Sequence, residues 1–79
     1  TIKNLLQIIY LLMNDKWIKI YTSHQFYKSE MVKQILIDNG IDAVLMNKQD
    51  TAYKFGEVEV HIPESAYSNA LEIIIINNL

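Results

Sequence analysis

Two histidines and the acidic side chains near them are the residues most able to bind a metal ion or to catalyse a reaction. Glu59 and His61 lie two positions apart in an alternating stretch, so both should point to the same face of a strand. The pair offers two ligands that zinc accepts, but a zinc site needs a third and a fourth ligand that the sequence does not identify. Solvated surface side chains are the simpler interpretation. We therefore expect no metal site.

The other histidine, His24, lies at a predicted turn between a strand and a helix. It could cap the helix or pair with a carboxylate, whereas a catalytic role requires a partner that the sequence does not identify. No serine lies in a nucleophile motif, and Gly40 and Gly56 are isolated, so no phosphate-cradling loop is predicted. We expect no catalytic residue and no cofactor. The alternative is a small oligomeric enzyme that uses His24 or His61 at a subunit interface.

Composition narrows the class of protein and of partner. The chain has 79 residues, which allows one domain. It has no cysteine, so disulfides and thiolate metal sites are excluded and a reducing cytoplasm is the expected compartment. The net charge is −2 and the chain has no arginine, so the basic footprint of a nucleic-acid-binding protein is missing. The apolar runs are shorter than the ~20 residues of a transmembrane helix, and we expect no membrane partner.

The first half of the chain predicts a strand, a helix and a second strand. Residues 17–22 alternate with the period of a strand. Residues 25–39 carry an apolar stripe with helical period, and Ser23 is the expected N-cap. Gly40 is expected to end this helix in the left-handed conformation. Residues 41–47 are mostly apolar, which is typical of a buried strand.

The second half predicts a third strand and a second helix. Residues 57–62 alternate almost perfectly, and Pro63 is expected to end the strand and to begin the helix over residues 64–76. The third strand should direct one set of side chains to the core (Val58, Val60 and Ile62) and the other set away from it (Glu57, Glu59 and His61).

This order of elements predicts an α+β fold, a ferredoxin-like βαββα plait whose last strand is missing. Both helices should cover one face of an antiparallel sheet. In the complete plait the missing strand would pair with the first, so the edge along residues 17–22 should be open. Because open edges are usually covered or paired, we expect residues 5–12 or a second subunit to cover this one.

Several short motifs resemble those of a family of small bacterial domains of unknown function that is labelled as signal-transducing. They are Trp17-Ile18-Lys19-Ile20-Tyr21, Ser29-Glu30-Met31-Val32, Gly40-Ile41-Asp42-Ala43, Asn47-Lys48-Gln49-Asp50, and Tyr53 followed by Phe55-Gly56-Glu57. The family is similar in fold to the P-II (GlnB-like) nitrogen regulators. The resemblance spans residues 16–76 and implies a signalling role, but it assigns no active site.

The resemblance also bears on where the domain begins. Members of the family typically start a few residues before the tryptophan, which by resemblance makes Met13 the expected initiator. We therefore expect residues 13–79 to form a single GlnB-like domain. Residues 1–12 are expected to be an N-terminal apolar extension, either translated upstream sequence or a genuine part of the protein.

The connection between the second and third strands, residues 47–56, is the first candidate site because it is longer than a usual hairpin loop. In P-II regulators the equivalent loop contacts partner proteins, so the resemblance implies a binding role. The expected binding residues are Lys48, Gln49 and Asp50 as polar groups, with Tyr53 and Phe55 as aromatic anchors. The alternative is a plain connector whose aromatic side chains fold onto the domain.

The sheet face away from the helices is the second candidate. Its expected interface residues are Trp17, Tyr21, Val44 and Met46, beside the polar side chains of Lys19, Glu57, Glu59 and His61. An apolar patch of this kind is more than isolated monomers usually expose, so we expect a homo-oligomer interface. Aromatic residues on such a sheet also suit RNA binding, but the two glutamates would repel phosphates, and we expect no nucleic-acid partner.

These observations favour a non-enzymatic, signal-transducing or regulatory module. We expect it to bind a protein or a small metabolite through residues 47–56 and to self-associate through its open sheet face or edge. Besides the small enzyme with an interface active site, a purely structural assembly domain is the other alternative.

Overall fold

The elements occur in the predicted order. The structure is a computed structural model that describes residues 16–50 and 56–79. Its strands are β1 (Trp17–Ser23), β2 (Val44–Asn47) and β3 (Val58–Pro63), and its helices are α1 (Phe26–Asp38) and α2 (Tyr67–Ile76), with a 3-10 turn at Glu64–Ala66. Neither helix is long and apolar enough to span a bilayer.

β3 lies at the centre of the sheet that the described residues form. It pairs antiparallel with β1 on one side and with β2 on the other, so the strand order is β1-β3-β2. The predicted fold class, an α+β fold with an antiparallel sheet in a ferredoxin-like βαββα arrangement, is confirmed. The central position of β3 also explains why Val58, Val60 and Ile62 are fully buried, as predicted.

The hydrophobic core lies between the helices and one face of the sheet. Val60 and Ile62 of β3 belong to the same buried cluster as Val32 and Leu36 of α1 and Ala70 of α2. Alternate residues of a strand share a face, so both helices cover the same side of β3, as predicted. Ile73 of α2 is partly buried against this cluster.

A serine within the apolar stripe of α1 joins that helix to the central strand. Ser29 is fully buried, and its hydroxyl donates a hydrogen bond of 2.6 Å to the carbonyl oxygen of Val58. A buried hydroxyl without a partner would destabilise the fold, so this bond explains how a polar residue is tolerated there. It also fixes the start of α1 relative to β3.

The two ends of α1 differ in how well the sequence predicts them. Ser23 is not the N-cap, because it is the last residue of β1. The N-cap is Gln25, which has an extended backbone conformation. The N–H of Gln25 donates a hydrogen bond of 3.0 Å to the hydroxyl oxygen of Ser23. At the other end Gly40 has φ +81°, as predicted. The N–H of Ile41 bonds the carbonyl of Leu36 at 3.0 Å, which completes a Schellman motif. Because Ile41 belongs to this motif, β2 begins at Val44 and not at residue 41.

The second helix ends in the same way without a glycine. Asn78 takes the left-handed conformation with φ 57°, and the N–H of Leu79 bonds the carbonyl of Ile74 at 2.9 Å. Leu79 then packs against the core. At the start of the helix, Pro63 is the last residue of β3, and the 3-10 turn separates it from α2, so the α-helix begins later than predicted.

An irregularity in β1 changes which side chains face the core. Lys19 pairs with His61 and Tyr21 pairs with Val60, so Ile20 is an extra residue, a β-bulge. Tyr21 therefore lies on the helix side of the sheet, partly buried against the core. The prediction that Tyr21 shares the uncovered face with Trp17 was wrong, because the bulge reverses the alternation after Lys19.

Candidate functional site

The two ends of the predicted binding loop are held together by the backbone. The N–H of Lys48 donates to the carbonyl oxygen of Glu57 at 2.9 Å, one residue beyond the last pair of the β2–β3 ladder. Gly56 has φ +104°, and a Cβ placed there would lie 2.5 Å from the carbonyl oxygen of Lys48. Glycine is therefore required at this position for two reasons, conformation and space. Residues 51–55, with the predicted anchors Tyr53 and Phe55, lie outside the described residues.

The turn between β1 and α1 is bonded to both ends of this loop. The side-chain amide of Gln49 donates to the carbonyl oxygen of His24 at 2.6 Å. Nδ1 of His24 lies 3.1 Å from the carbonyl oxygen of Gly56, and because a carbonyl only accepts, Nδ1 must carry the hydrogen. Nε2 of His24 lies 3.9 Å from the carboxylate of Glu57. His24 thus holds the loop against the turn, a role that sequence reasoning did not assign to it.

A local hydrogen bond shapes the first residues of the loop. The side-chain oxygen of Asn47 accepts the N–H of Gln49 at 2.9 Å, an Asx turn. This turn places neighbouring side chains on opposite sides of the chain. Gln49 points toward His24, and Lys48 reaches Glu59 on the uncovered sheet face.

An open cleft of about 520 Å³ lies between the loop and the start of α1. Its lining residues come from the turn and first helical turn (His24, Gln25, Phe26 and Tyr27) and from the loop (Asn47, Gln49 and Asp50). Clefts of this size suit small ligands. The cleft brings together two of the predicted binding residues, Gln49 and Asp50. Lys48 does not line it.

The uncovered sheet face has an ionic cluster at its centre. The carboxylate of Glu59 lies 2.8 Å from Nε2 of His61, 3.2 Å from Nζ of Lys48 and 3.6 Å from Nζ of Lys19. The hydrogen bond from His61, followed by that from Lys48, lowers the pKa of Glu59 from 4.5 to about 2. The interpretation of Glu59 and His61 as solvated side chains was wrong for Glu59, which is only 6% exposed because its three partners cover it.

Three of the four predicted interface residues do lie on this uncovered face. Val44 pairs with His61 and Met46 with Glu59, so both share the face of the ionic cluster, and both are more than 40% exposed. Trp17 precedes Lys19 by two positions on β1 and is 38% exposed. The face therefore has an ionic centre with apolar side chains on both sides of it.

No metal site is evident in the ranges 16–50 and 56–79. Glu59 and His61 are adjacent, but no group of three histidine, aspartate or glutamate side chains in those ranges could hold a metal ion. The ordered hydrogen bond between them and the lysines that surround Glu59 are typical of an ion-pair network.

Comparison with known proteins bears on the class of function. A family model described as "putative prokaryotic signal transducing protein" matches residues 17–76. The chain belongs to this family. The match begins at the first residue of β1 and ends at the last residue of α2, so the family's domain coincides with the fold described above. No curated protein and no solved structure gave a significant match to the chain.

The sequence did not predict the part of the cleft lining that comes from the β1–α1 turn and the first turn of α1. His24, Phe26 and Tyr27 join it because the β1–α1 turn packs against the loop, which no periodicity encodes. One signal was present: Gly56, an isolated glycine at the end of a long loop, indicates a close approach of two backbone segments. The carbonyl oxygen of Gly56 accepts the hydrogen bond from Nδ1 of His24.

Proposed function

We propose that this protein is a non-enzymatic regulatory module that binds a protein or a small metabolite through residues 47–56. The family to which it belongs is described as signal-transducing, which supports a regulatory role. The observation that carries the proposal is the cleft of about 520 Å³ between the loop and the first turn of α1. The absence of cysteine in the sequence favours the cytoplasm as the place where it acts.

The attachment of the loop supports a binding role over that of a plain connector. A connector needs no side-chain contacts to the rest of the domain, whereas Gln49 and His24 bond the loop to the β1–α1 turn at both of its ends. Loop ends that are already held in place lose less conformational entropy when a partner binds there.

The test is capture of a partner by the wild-type chain and by two glutamine variants. Gln49→Ala removes the 2.6 Å hydrogen bond to His24, and Gln34→Ala removes a 3.0 Å bond to Asp38 on the exposed side of α1. Immobilised wild-type chain should retain a protein or metabolite from native lysate, identified by mass spectrometry. We expect Gln49→Ala to lose this partner and Gln34→Ala to keep it. Equal retention by both variants would refute the role of the loop.

We propose further that the chain self-associates through the uncovered sheet face. Trp17, Val44 and Met46 are exposed there, on the side that neither helix covers. Light scattering after size-exclusion chromatography should give a mass above that of one chain, and Val44→Lys should lower it. The control is Ile37→Lys, an equally exposed position on α1, which should leave the mass unchanged. A monomer at high concentration would refute the interface.

A further inference from the structure

We propose that residues 2–13 pack as an amphipathic helix against the exposed apolar side of α2 of the same chain. The proposal goes beyond the proposed function, since it concerns neither the binding loop nor the uncovered sheet face. Residues 1–15 lie outside the described residues. Three properties of the chain carry the proposal: the surface of α2, the position of Lys16 next to that helix, and the pattern of apolar residues in the sequence before Lys16.

α2 has a second apolar side besides the one that faces the core. Ala70 is fully buried on the core side. The second side is formed by Tyr67, Leu71 and Ile75, which are 45%, 38% and 69% exposed. Residues four apart are neighbours on one side of a helix, so these three side chains form a continuous row. A helix that is apolar on several sides is typically covered on several sides, and the described residues leave this row exposed.

The described chain enters the fold beside the start of α2. The carbonyl oxygen of Lys16 accepts a hydrogen bond of 2.7 Å from the N–H of Glu64. Glu64 is the first residue of the 3-10 turn that leads into α2, and β1 begins one residue after Lys16. Residues 14–16 would connect the segment to β1, and connections of about two to six residues are usual between a helix and a strand. The segment therefore ends next to the N-terminal end of α2.

The sequence of residues 2–13 has a helical period with separate apolar and polar sides. The apolar side is formed by Ile2, Leu5, Ile9 and Leu12, and the polar side by Lys3, Asn4 and Gln7. Intervals of three and four residues are the signature of an amphipathic helix. Leu11 is the exception, because it lies on the polar side. The apolar side of this segment is the counterpart that the exposed row on α2 lacks.

The edge of β1 is the competing position for this segment. A strand at that edge would direct its side chains alternately to two faces. Leu5, Gln7 and Ile9 would then share one face, so polar and apolar side chains would not be separated. The extra residue Ile20 also interrupts the regular spacing of hydrogen-bonding groups along β1. Both facts favour a helix on α2.

Length and charge also fit this position. The twelve residues 2–13 would span about 18 Å as a helix, and the ten residues of α2 span about 15 Å. Because residue 13 lies near the start of α2, the two helices run antiparallel. Lys3 then lies near the C-terminal end of α2 and Asp15 near its N-terminal end. The helix dipole favours a cation and an anion at those two ends, respectively.

The test is paramagnetic broadening of NMR signals in the full chain, which has no cysteine and so accepts a nitroxide at one engineered thiol. Ser68→Cys places the label on the exposed surface of α2, and Val44→Cys places it on the uncovered sheet face. We expect the Ser68 label to broaden the amides of residues 2–13 and the Val44 label to leave them sharp. Equal broadening by the two labels, broadening by the Val44 label alone, or none from either overturns the proposal.

Two further measurements exclude the other arrangements. The ¹³Cα shifts of residues 2–13 should be helical, and extended shifts would indicate pairing with β1 and overturn the proposal. In an equimolar mixture, a ¹⁵N-labelled wild-type chain meets an unlabelled chain that carries the nitroxide at position 68. We expect no broadening of residues 2–13 in this mixture. Broadening there would mean that the segment packs on α2 of a second copy, which overturns packing within one chain.

A double-mutant cycle tests the contact itself through stability. Ile9→Ala in the full chain should lower the midpoint of urea unfolding, whereas Gln7→Ala, on the polar side of the segment, should leave it unchanged. The effect of Ile9→Ala should be smaller when Leu71→Ala has already removed its partner side chain, because residues in contact are not additive. Equal midpoints for Ile9→Ala and Gln7→Ala, or the same effect of Ile9→Ala in both backgrounds, would overturn the proposal.

Discussion

Nζ of Lys48 lies 3.2 Å from Oε1 of Glu59, so the second residue of the loop is paired with the centre of the uncovered sheet face. The adjacent Gln49 bonds His24 on the side of the cleft. Consecutive residues therefore attach the loop to two different surfaces of the domain.

The ionic cluster should make stability depend on pH in the acidic range. Because the pKa of Glu59 falls from 4.5 to about 2 on folding, its charged form stabilises the folded state. A group of this kind contributes fully above its unfolded pKa and loses that contribution as the pH falls through its folded pKa. The stability that Glu59 supplies should therefore be complete at neutral pH and should disappear between pH 4.5 and about 2.

Glu59→Gln should remove this part of the pH dependence, which urea unfolding at pH 7, 4 and 2.5 will measure. Glu72→Gln is the matched control, since Glu72 is exposed on α2, and its profile should match that of the wild type. If Glu59→Gln retained the wild-type dependence, the lysines and His61 would not be the cause of stabilisation.

The buried hydrogen bond of Ser29 should be needed for stability. Ser29→Ala removes the donor to the carbonyl of Val58, which lies in the fully buried part of β3. We expect the free energy of unfolding to fall by about 1–2 kcal/mol, the usual effect of leaving a buried acceptor with one partner fewer. Ser68→Ala, at an exposed position of α2, should change it little, and an equal loss in both variants would contradict the assignment.

The two glycines should tolerate alanine to different degrees. Both have positive φ, which costs an L-residue roughly 1–2 kcal/mol. A Cβ at Gly40 meets nothing within 4 Å, whereas at Gly56 it would lie 2.5 Å from the carbonyl oxygen of Lys48. Gly56→Ala should therefore be the more destabilising in thermal unfolding, and it should also abolish binding by the loop. Equal effects of both substitutions would contradict the close approach.

The cap of α2 should depend on the left-handed conformation of Asn78. Asn78→Ala should destabilise the protein by about 1 kcal/mol, since alanine accepts φ 57° less readily than asparagine. Asn78→Gly should be neutral or stabilising. The same change within the helix, Asn69→Ala, should slightly stabilise, because alanine is the better helix former. Chemical unfolding of the three variants gives the comparison, and a loss for Asn69→Ala as large as that for Asn78→Ala would refute it.

The sequence predicts well those features that follow from periodicity and from a single special residue. The alternation along β3 predicted that Val58, Val60 and Ile62 face the core. The prediction holds because β3 is the central strand and the helices cover this face of it. Gly40 marked the end of α1 because few other residues accept φ +81°. Asn78 has the same role in α2, but asparagine is common elsewhere, so it is a weaker indicator.

Features that depend on pairing between distant residues could not be predicted in this way. The extra residue Ile20 reverses the side on which Tyr21 lies, and only the register of β1 against β3 reveals it. Likewise the pairing of Lys48 with Glu59 requires the β2–β3 register, which places Met46 opposite Glu59. For the cleft, the sequence indicated Gln49 and Asp50 from loop length, whereas Phe26 and Tyr27 enter it only through tertiary packing.

The bulge at Ile20 also has a consequence for behaviour in a crowded solution. β1 is an edge strand of the described sheet, and regular edge strands recruit strands of other molecules into continuous cross-β assemblies. An extra residue interrupts the even spacing of N–H and C=O groups that such recruitment requires, and the neighbouring Lys19 adds a charge. The bulge and the lysine are thus two of the features by which edge strands in general resist edge-to-edge pairing.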